Sequence, residues 1–395
     1  MQSDYRLTVT QKQKVRRQSD RSYSVVQSDY RLTATQKQKV RRQSDRSYLV
    51  VQSDYRLTAS NPKTTLTMNY RKLGKTGFEI SEISLGTWQV GGKWGDDFSH
   101  ENAERILHAA VDSGINFIDT ADVYGAGESE KAVGKFVKSR SERIYVATKC
   151  GRQLSPHVSE AYQPAVLRKF VEDSLQNMGL ETLDLIQLHC PPTEVYYRPE
   201  IFELFDRLKE EGKILNLGIS VEKVEEALKG IEYDNVTTVQ IIFNMFRQRP
   251  SELFFEQAQK KNIGVIVRVP LASGLLTGKF SKLSSFTAGD HRFFNRNGEH
   301  FDKGETFSGI DYETGLAAVE ELKAVFPSYE NLAPVALRWI LGYSAVSTII
   351  PGASNPTQAT ANLEALTIPD LTQAQLQSVN EIYAKYIKPQ VHHLW

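Results

Sequence analysis

Residues 182–189 read TLDLIQLH and residues 214–220 read ILNLGIS, two apolar runs with a helix candidate at 199–211 between them. Strand, helix and strand in that order make a βαβ unit, whose strands run parallel. The same texture extends in both directions. Upstream stand strand candidates at 80–88 (ISEISLGTW), 116–121 (NFIDTA) and 143–149 (RIYVATK). Downstream stand 237–243 (TTVQIIF), 264–270 (GVIVRVP) and 346–351 (VSTIIP). Helix candidates follow the other strands at 100–113, 129–139, 164–178, 222–229, 252–261, 332–342 and 356–365. In the helix at 164–178, Val166, Phe170, Val171, Leu175 and Met178 share one stripe. Gly114, Gly179, Gly212 and Gly230 follow helices, where a left-handed cap is expected.

Eight consecutive βα units over about 300 residues predict an α/β fold of the closed (β/α)8 TIM barrel type rather than an open doubly wound sheet. An open sheet would show a G-x-G-x-x-G turn after its first strand, and LGTWQVGG is not that turn. Tyr70 to Phe78 reads as an N-terminal hairpin. Residues 271–312 read as a long polar, aromatic-rich loop after strand seven, and 371–386 as an extra C-terminal helix. The stretch 286–312, with Phe293, Phe294, Phe301 and Phe307, is either a lid or part of the substrate wall.

Before residue 68 the texture differs. QSDYRLT begins at Gln2, Gln27 and Gln52, a period of 25, and TQKQKVRRQSDRSY recurs at Thr10 and Thr35. Each unit carries six basic and two acidic residues and few large apolar ones, so stacking into a solenoid is not expected. Residues 1–67 therefore read as a disordered basic arm with transient helix near 11–17, and 68–395 as the barrel domain. The net charge of +1 thus conceals a basic arm on a mildly acidic body. Salt-sensitive tethering of the arm to nucleic acid is the minor reading. No run approaches the ~20 apolar residues of a membrane helix. With two cysteines and no apolar segment after the first basic residues, a cytoplasmic protein is expected.

In a barrel, polar side chains at the C-terminal ends of strands carry chemistry. Strand two ends in Asp119, with Tyr124 five residues on; strand three ends in Lys149, and strand four in His189. Strand five ends in Ser220, and strand six carries Gln240 and Asn244. Taken singly, each has an ordinary structural role. Together they suit proton donation. An ammonium beside a phenol favours its phenolate, a carboxylate keeps the ammonium charged, and a histidine orients a carbonyl oxygen. Trp88, ending strand one, is expected in the substrate pocket. The eight histidines show no metal-ligand spacing, and no metal is expected. GLLTGK lacks phosphate-loop spacing but is placed to close over a pyrophosphate. Cys150 and Cys190 read as small apolar fillers.

The stretches FIDTADVYGAGESE (117–130), VATKCG (146–151), LIQLHCP (185–191), LGIS (217–220), VQIIFN (239–244), PLASGLLTGK (270–279) and IPGASNPTQATANL (350–363) together resemble the aldo-keto reductase family. The resemblance runs from about Tyr70 to about residue 385. It implies a catalytic tetrad of Asp119, Tyr124, Lys149 and His189, and reduction of aldehydes or ketones by NADPH, with NADH still possible. It implies that Ser220, Gln240, Asn244 and Arg268 lie at the nicotinamide end. Leu271, Gly274 and Lys279 would follow along the cofactor, and Gly352, Ser354, Gln358 and Asn362 would hold the adenosine and its phosphate. Three positions depart from the family pattern. Val221 follows Ser220 where asparagine is frequent, Arg268 stands where an aromatic residue often stacks on nicotinamide, and Gly352 and Gln358 replace the Lys and Arg of some branches. The alternative is a cofactor-binding regulatory subunit resembling the potassium-channel β subunits.

Overall fold

The computed structural model describes residues 67–92 and 97–395, together with the backbone of four short strands nearer the N-terminus. Those four pair antiparallel, Asp4–Arg6 with Arg56–Thr58 and Lys39–Arg42 with Leu49–Gln52. The expected disorder of the arm and the transient helix near 11–17 otherwise fall outside the described residues. Residues 1–65 and 66–395 form two separate units.

The second unit is an eight-stranded parallel sheet. Its strands are β1 (Leu85–Gly86), β2 (Phe117–Asp119), β3 (Tyr145–Cys150) and β4 (Leu183–His189), then β5 (Ile214–Ser220), β6 (Val236–Ile242), β7 (Gly264–Arg268) and β8 (Val346–Ile349). Each pairs with its sequence neighbour. Parallel bridges from Ile83 to Ile349 and from Gly86 to Gly352 join the last strand to the first, which closes the barrel. Ser84 Oγ and Thr348 Oγ1, 2.7 Å apart, lock the same seam.

Helices α1 (His100–Asp112), α2 (Glu128–Lys138), α3 (Pro164–Met178), α4 (Pro199–Glu210), α5 (Val224–Gly230) and α6 (Phe254–Lys260) follow the first six strands. Two helices, Tyr312–Val325 and Ala333–Leu341, precede β8. The first of them fell outside the expected pattern of one helix per strand. Asp311 caps it by accepting a hydrogen bond from the Thr314 amide. Pro356–Ala361 follows β8, and Gln373–Ile382 is the expected C-terminal helix. No helix among the described residues is long and apolar enough to cross a membrane.

The hairpin of Tyr70–Lys72 and Glu79–Ser81 stops the N-terminal end of the barrel. Its Leu73 packs with Ile80, Phe117, Ala147, Leu185, Ile266 and Ile350 in a core separate from the larger one under the helices. A Cβ on Gly74 would lie 2.1 Å from the Gly264 amide, so the plug seats backbone to backbone. The segment 80–88, expected as one strand, is thus shared: its start belongs to the hairpin and its end to the barrel. Gly114, Gly179 and Gly212 adopt positive φ after their helices. Gly230 does not; it ends α5, where a Cβ would sit 2.1 Å from Ile219 Cδ1. Close approach to that side-chain tip, not handedness, is what marks this position.

Candidate active site

Strand periodicity builds the site. Successive side chains alternate between barrel interior and helix layer. Phe117, Ala147, Leu185 and Ile266 lie in the inner core, whereas Ile118, Val146, Ile186 and Val267 lie in the outer one. Two residues past each inner apolar residue stand Asp119, Lys149, Gln187 and Arg268, and two beyond Gln187 stands His189. A floor of apolar side chains therefore carries a polar layer at the C-terminal mouth, where the site of such a barrel belongs.

Lys149 is the hub. Its ammonium donates to Asp119 Oδ1 at 2.5 Å, to the Thr120 carbonyl at 2.7 Å and to the Tyr124 hydroxyl at 3.4 Å. Asp119 Oδ2 accepts from Gln187 Nε2 at 3.1 Å and from Gln240 Nε2 at 2.7 Å. Lys149 and Asp119 are both buried, so each charge needs the other. Burial penalises the ammonium, but the charges of Asp119 and Tyr124 outweigh it and hold its pKa above the ordinary lysine value.

The expectation that lysine brings the phenol below its ordinary pKa is not met. Burial pushes the Tyr124 phenol up, and Lys149 offsets this only in part. Tyr124 is accordingly protonated at neutral pH. His189, its ring edge-on to Tyr124 at 6.1 Å, is held well below the ordinary range, by burial first and then by the charge of Arg152. It is a neutral imidazole, and its Nδ1 is buried without a partner among the described residues.

Asp119, Tyr124 and His189 open onto a cavity of about 1180 Å³, with Lys149 behind them, and the cavity also takes in Trp88, Gln240, Arg268, Leu271, Gly274 and Lys279. Gly352, Gln358 and Asn362 line the same cavity further along. Ser220, Asn244 and Ser354 stand off its wall. Ser220 is fully buried beside Cys190, 3.5 Å from its sulfur. Asn244 donates to the Val269 carbonyl at 3.0 Å, which places it behind the β7 loop. Ser354 donates its hydroxyl to Gln358 Oε1 at 2.9 Å. Trp88 meets His291 at 4.7 Å and Phe301 at 6.5 Å, so the stretch 286–312 forms part of the wall.

Sequence reasoning missed Gln187, Arg152, Glu222 and Glu305. The period of two along β4 was signal enough for Gln187. The others come from loops whose convergence no local pattern announces. Glu305 Oε1 lies 3.3 Å from Arg268 and 3.6 Å from Arg152. The Cys190 sulfur and carboxylate oxygens of Glu222 and Glu305 fall within 4.8 Å of one another. Two guanidiniums already share that carboxylate, and burial raises the Cys190 thiol to about 11, so the group is an ion-pair cluster with an inert thiol. Burial also pushes Cys150 well above the ordinary thiol range, which keeps it a filler.

The residues suit a dinucleotide. The cavity exceeds the ~300–1,000 Å³ of ordinary small-molecule sites. Its wall after β7 runs through Val269, Ala272, Ser273 and Gly274, all at positive φ, a costly backbone that recurs where a chain must cradle a ligand. The buried Arg268 Nε has no partner among the described residues.

The Aldo/keto reductase family profile matches residues 82–384. The chain is 31% identical to the aldo-keto reductase YhdN of Bacillus subtilis over 334 residues, 82% of this chain and 96% of that one. It is 28% identical to the NADH-specific methylglyoxal reductase of Escherichia coli, covering 78% of this chain and 97% of that one. The solved glycerol dehydrogenase AKR11B4 from Gluconobacter oxydans superposes with a TM-score of 0.64 at 29% identity, over 81% of this chain and 96% of that one. With a closed parallel barrel, a lysine-centred polar layer at its mouth and a profile match over most of its length, the chain belongs to the aldo/keto reductase family.

Proposed function

We propose that the protein reduces aldehydes or ketones reversibly to alcohols at the expense of a reduced nicotinamide dinucleotide, NADPH being the donor expected, with Tyr124 as general acid. The observation that carries this reading is the Lys149 ammonium, bonded to Asp119 on one side and to the Tyr124 hydroxyl on the other. When bound, the cofactor supplies the hydride. Gly352, Gln358 and Asn362 would hold its adenosine end, Leu271, Gly274 and Lys279 its middle, and Arg268 the nicotinamide end.

The chain's own groups manage the proton. His189 is neutral, so it offers one ring N–H to the substrate oxygen without taking the proton itself. Tyr124 gives up its proton as negative charge grows on that oxygen. The phenolate so formed faces the Lys149 ammonium across 3.4 Å, an attraction that strengthens as the charge appears, as transition-state stabilisation requires. Asp119 keeps the lysine charged, and Gln187 and Gln240 hold Asp119 in place.

Relatives named for methylglyoxal reduction and for glycerol oxidation support a small substrate. The donor is less constrained. Lys279 is exposed and forms no ion pair among the described residues, so it is free for the cofactor's phosphates. The E. coli relative's name specifies NADH. Absorbance of each donor with a panel of short aldehydes tests the reading. Turnover is expected, faster with NADPH, and Tyr124→Phe should lose at least ~100-fold in kcat while the Kd for the cofactor stays within two-fold. Equal turnover by Tyr124→Phe would remove the tyrosine from the mechanism.

A further inference from the structure

We propose that the carbonyl compounds taken by this site carry an anionic oxygen group, a carboxylate or a phosphate, that docks on the Arg152 guanidinium. The inference rests on the carbonyl-reductase reading and names its substrate class.

Arg152 follows β3 by two residues and lines the same cavity as Tyr124, His189 and Trp88. Its side chain keeps 20% of its surface exposed, and among the described residues it makes no hydrogen bond. Its nearest carboxylate oxygens lie at 3.6 Å on Glu305 and 3.7 Å on Glu222, beyond hydrogen-bond length. Glu305 is nearer to Arg268, at 3.3 Å. A planar fork of donors, ion-paired only at a distance and without a hydrogen bond, thus faces the cavity in the form that grips a carboxylate or phosphate through two oxygens.

The balance of charge points the same way. Three guanidiniums, Arg152, Arg247 and Arg268, meet the carboxyl groups of Glu222, Asp302 and Glu305 around this wall. Burial, then the charges of Glu305 and Asp302, raise Glu222 above the ordinary carboxylate range, which favours its neutral form. The charge of Glu305 meanwhile keeps Arg152 ionised despite burial. Carboxylate charge there matches the three guanidiniums incompletely. Among the charges that hold His189 neutral, that of Arg152 acts most strongly, so the guanidinium lies within electrostatic reach of the group that meets the carbonyl. Carbonyl and anion can then belong to one short molecule. Trp88 and Phe301 supply an apolar wall beside it, with Phe301 5.8 Å below the guanidinium.

Matched pairs test this on the full chain: succinic semialdehyde against butanal, and glyceraldehyde 3-phosphate against glyceraldehyde. At least ten-fold higher kcat/KM is expected for the charged member of one pair, and which pair shows it separates carboxylate from phosphate. Arg152→Gln should bring that ratio close to one, and Arg152→Lys should keep part of it. A wild-type ratio near one in both pairs, or a ratio that survives Arg152→Gln, overturns the proposal. So does an unchanged ratio in Arg152→Gln with ten-fold weaker NADPH binding, which would make the anion the cofactor's own phosphate. Calorimetric titration of 4-hydroxybutanoate and 1-butanol into NADPH-saturated protein forms only a dead-end complex and needs no turnover. Ten-fold tighter binding of the anion supports the site and equal binding sinks it. Tight binding of the anion without turnover of any aldehyde would instead reject the reductase reading and leave the anion site standing.

Discussion

Asp122 lies three residues past Asp119 and is nearly as buried. Gln153 Nε2 donates to its Oδ2 at 2.8 Å, and its Oδ1 has no partner among the described residues. Burial, then the charge of Glu130, push its pKa up to about 7. An unfolded aspartate titrates near 3.9. Between roughly pH 4 and pH 7 the native state therefore binds more protons than the unfolded one, and stability falls as pH rises through that window. A shift of three units bounds the effect at about 4 kcal/mol. Asp122→Asn removes the titration. The melting temperature of the variant minus that of the wild type should be larger at pH 8 than at pH 4.5, read by thermal scans in matched buffers. A difference independent of pH would assign the titration elsewhere. Much of the site at this scale was legible in sequence. Asp119, Lys149 and His189 each end an apolar run, and Tyr124 sits in a distinctive stretch. The direction of the Tyr124 pKa was not legible, because burial is a property of everything packed around a residue.

Gly134 sits in the middle of α2, where glycine costs a helix about 1 kcal/mol relative to alanine. A Cβ there would lie 2.2 Å from the Met178 carbonyl oxygen and 2.4 Å from Met178 Cα, at the end of α3. Backbone cannot yield as a side-chain tip does, so the clash outweighs the gain in propensity. Gly134→Ala should lower stability by about 1–3 kcal/mol in urea denaturation, the cost of overpacking a tight contact. A more stable variant would show that α2 and α3 can part freely. The helix Tyr312–Val325 carries the opposite lesson. Its cap and composition are ordinary, but a strict one-helix-per-strand reading left no place for it. The boundaries of β4 and β5 were legible to within a residue, because both strands are mostly buried and rich in leucine and isoleucine.

All the site residues lie in the unit 66–395, and the seam between β8 and β1 is made within it. Deleting residues 1–66 should leave kcat/KM and cofactor Kd within two-fold and the melting temperature within about 2 °C, since a domain with its own core folds alone. A ten-fold loss of kcat/KM would give the arm a part in the barrel's work. The plug of Leu73 against the inner core belongs to this scale as well, because it unites residues far apart in sequence at the bottom of one barrel.

The order of alternating apolar runs and helices was enough to determine a parallel barrel, since each strand's period and each connection's length are local properties. The same local order put Asp119, Lys149 and His189 at strand ends. Only the folded chain decided that Gln187 and Gln240 would hold Asp119, that Glu305 would come between Arg268 and Arg152, and that the second guanidinium would be left with donors to spare. Those outcomes depend on loops from different strands meeting over the barrel mouth. Charge and burial there are sums over neighbours distant in sequence, and no stretch of sequence contains such a sum.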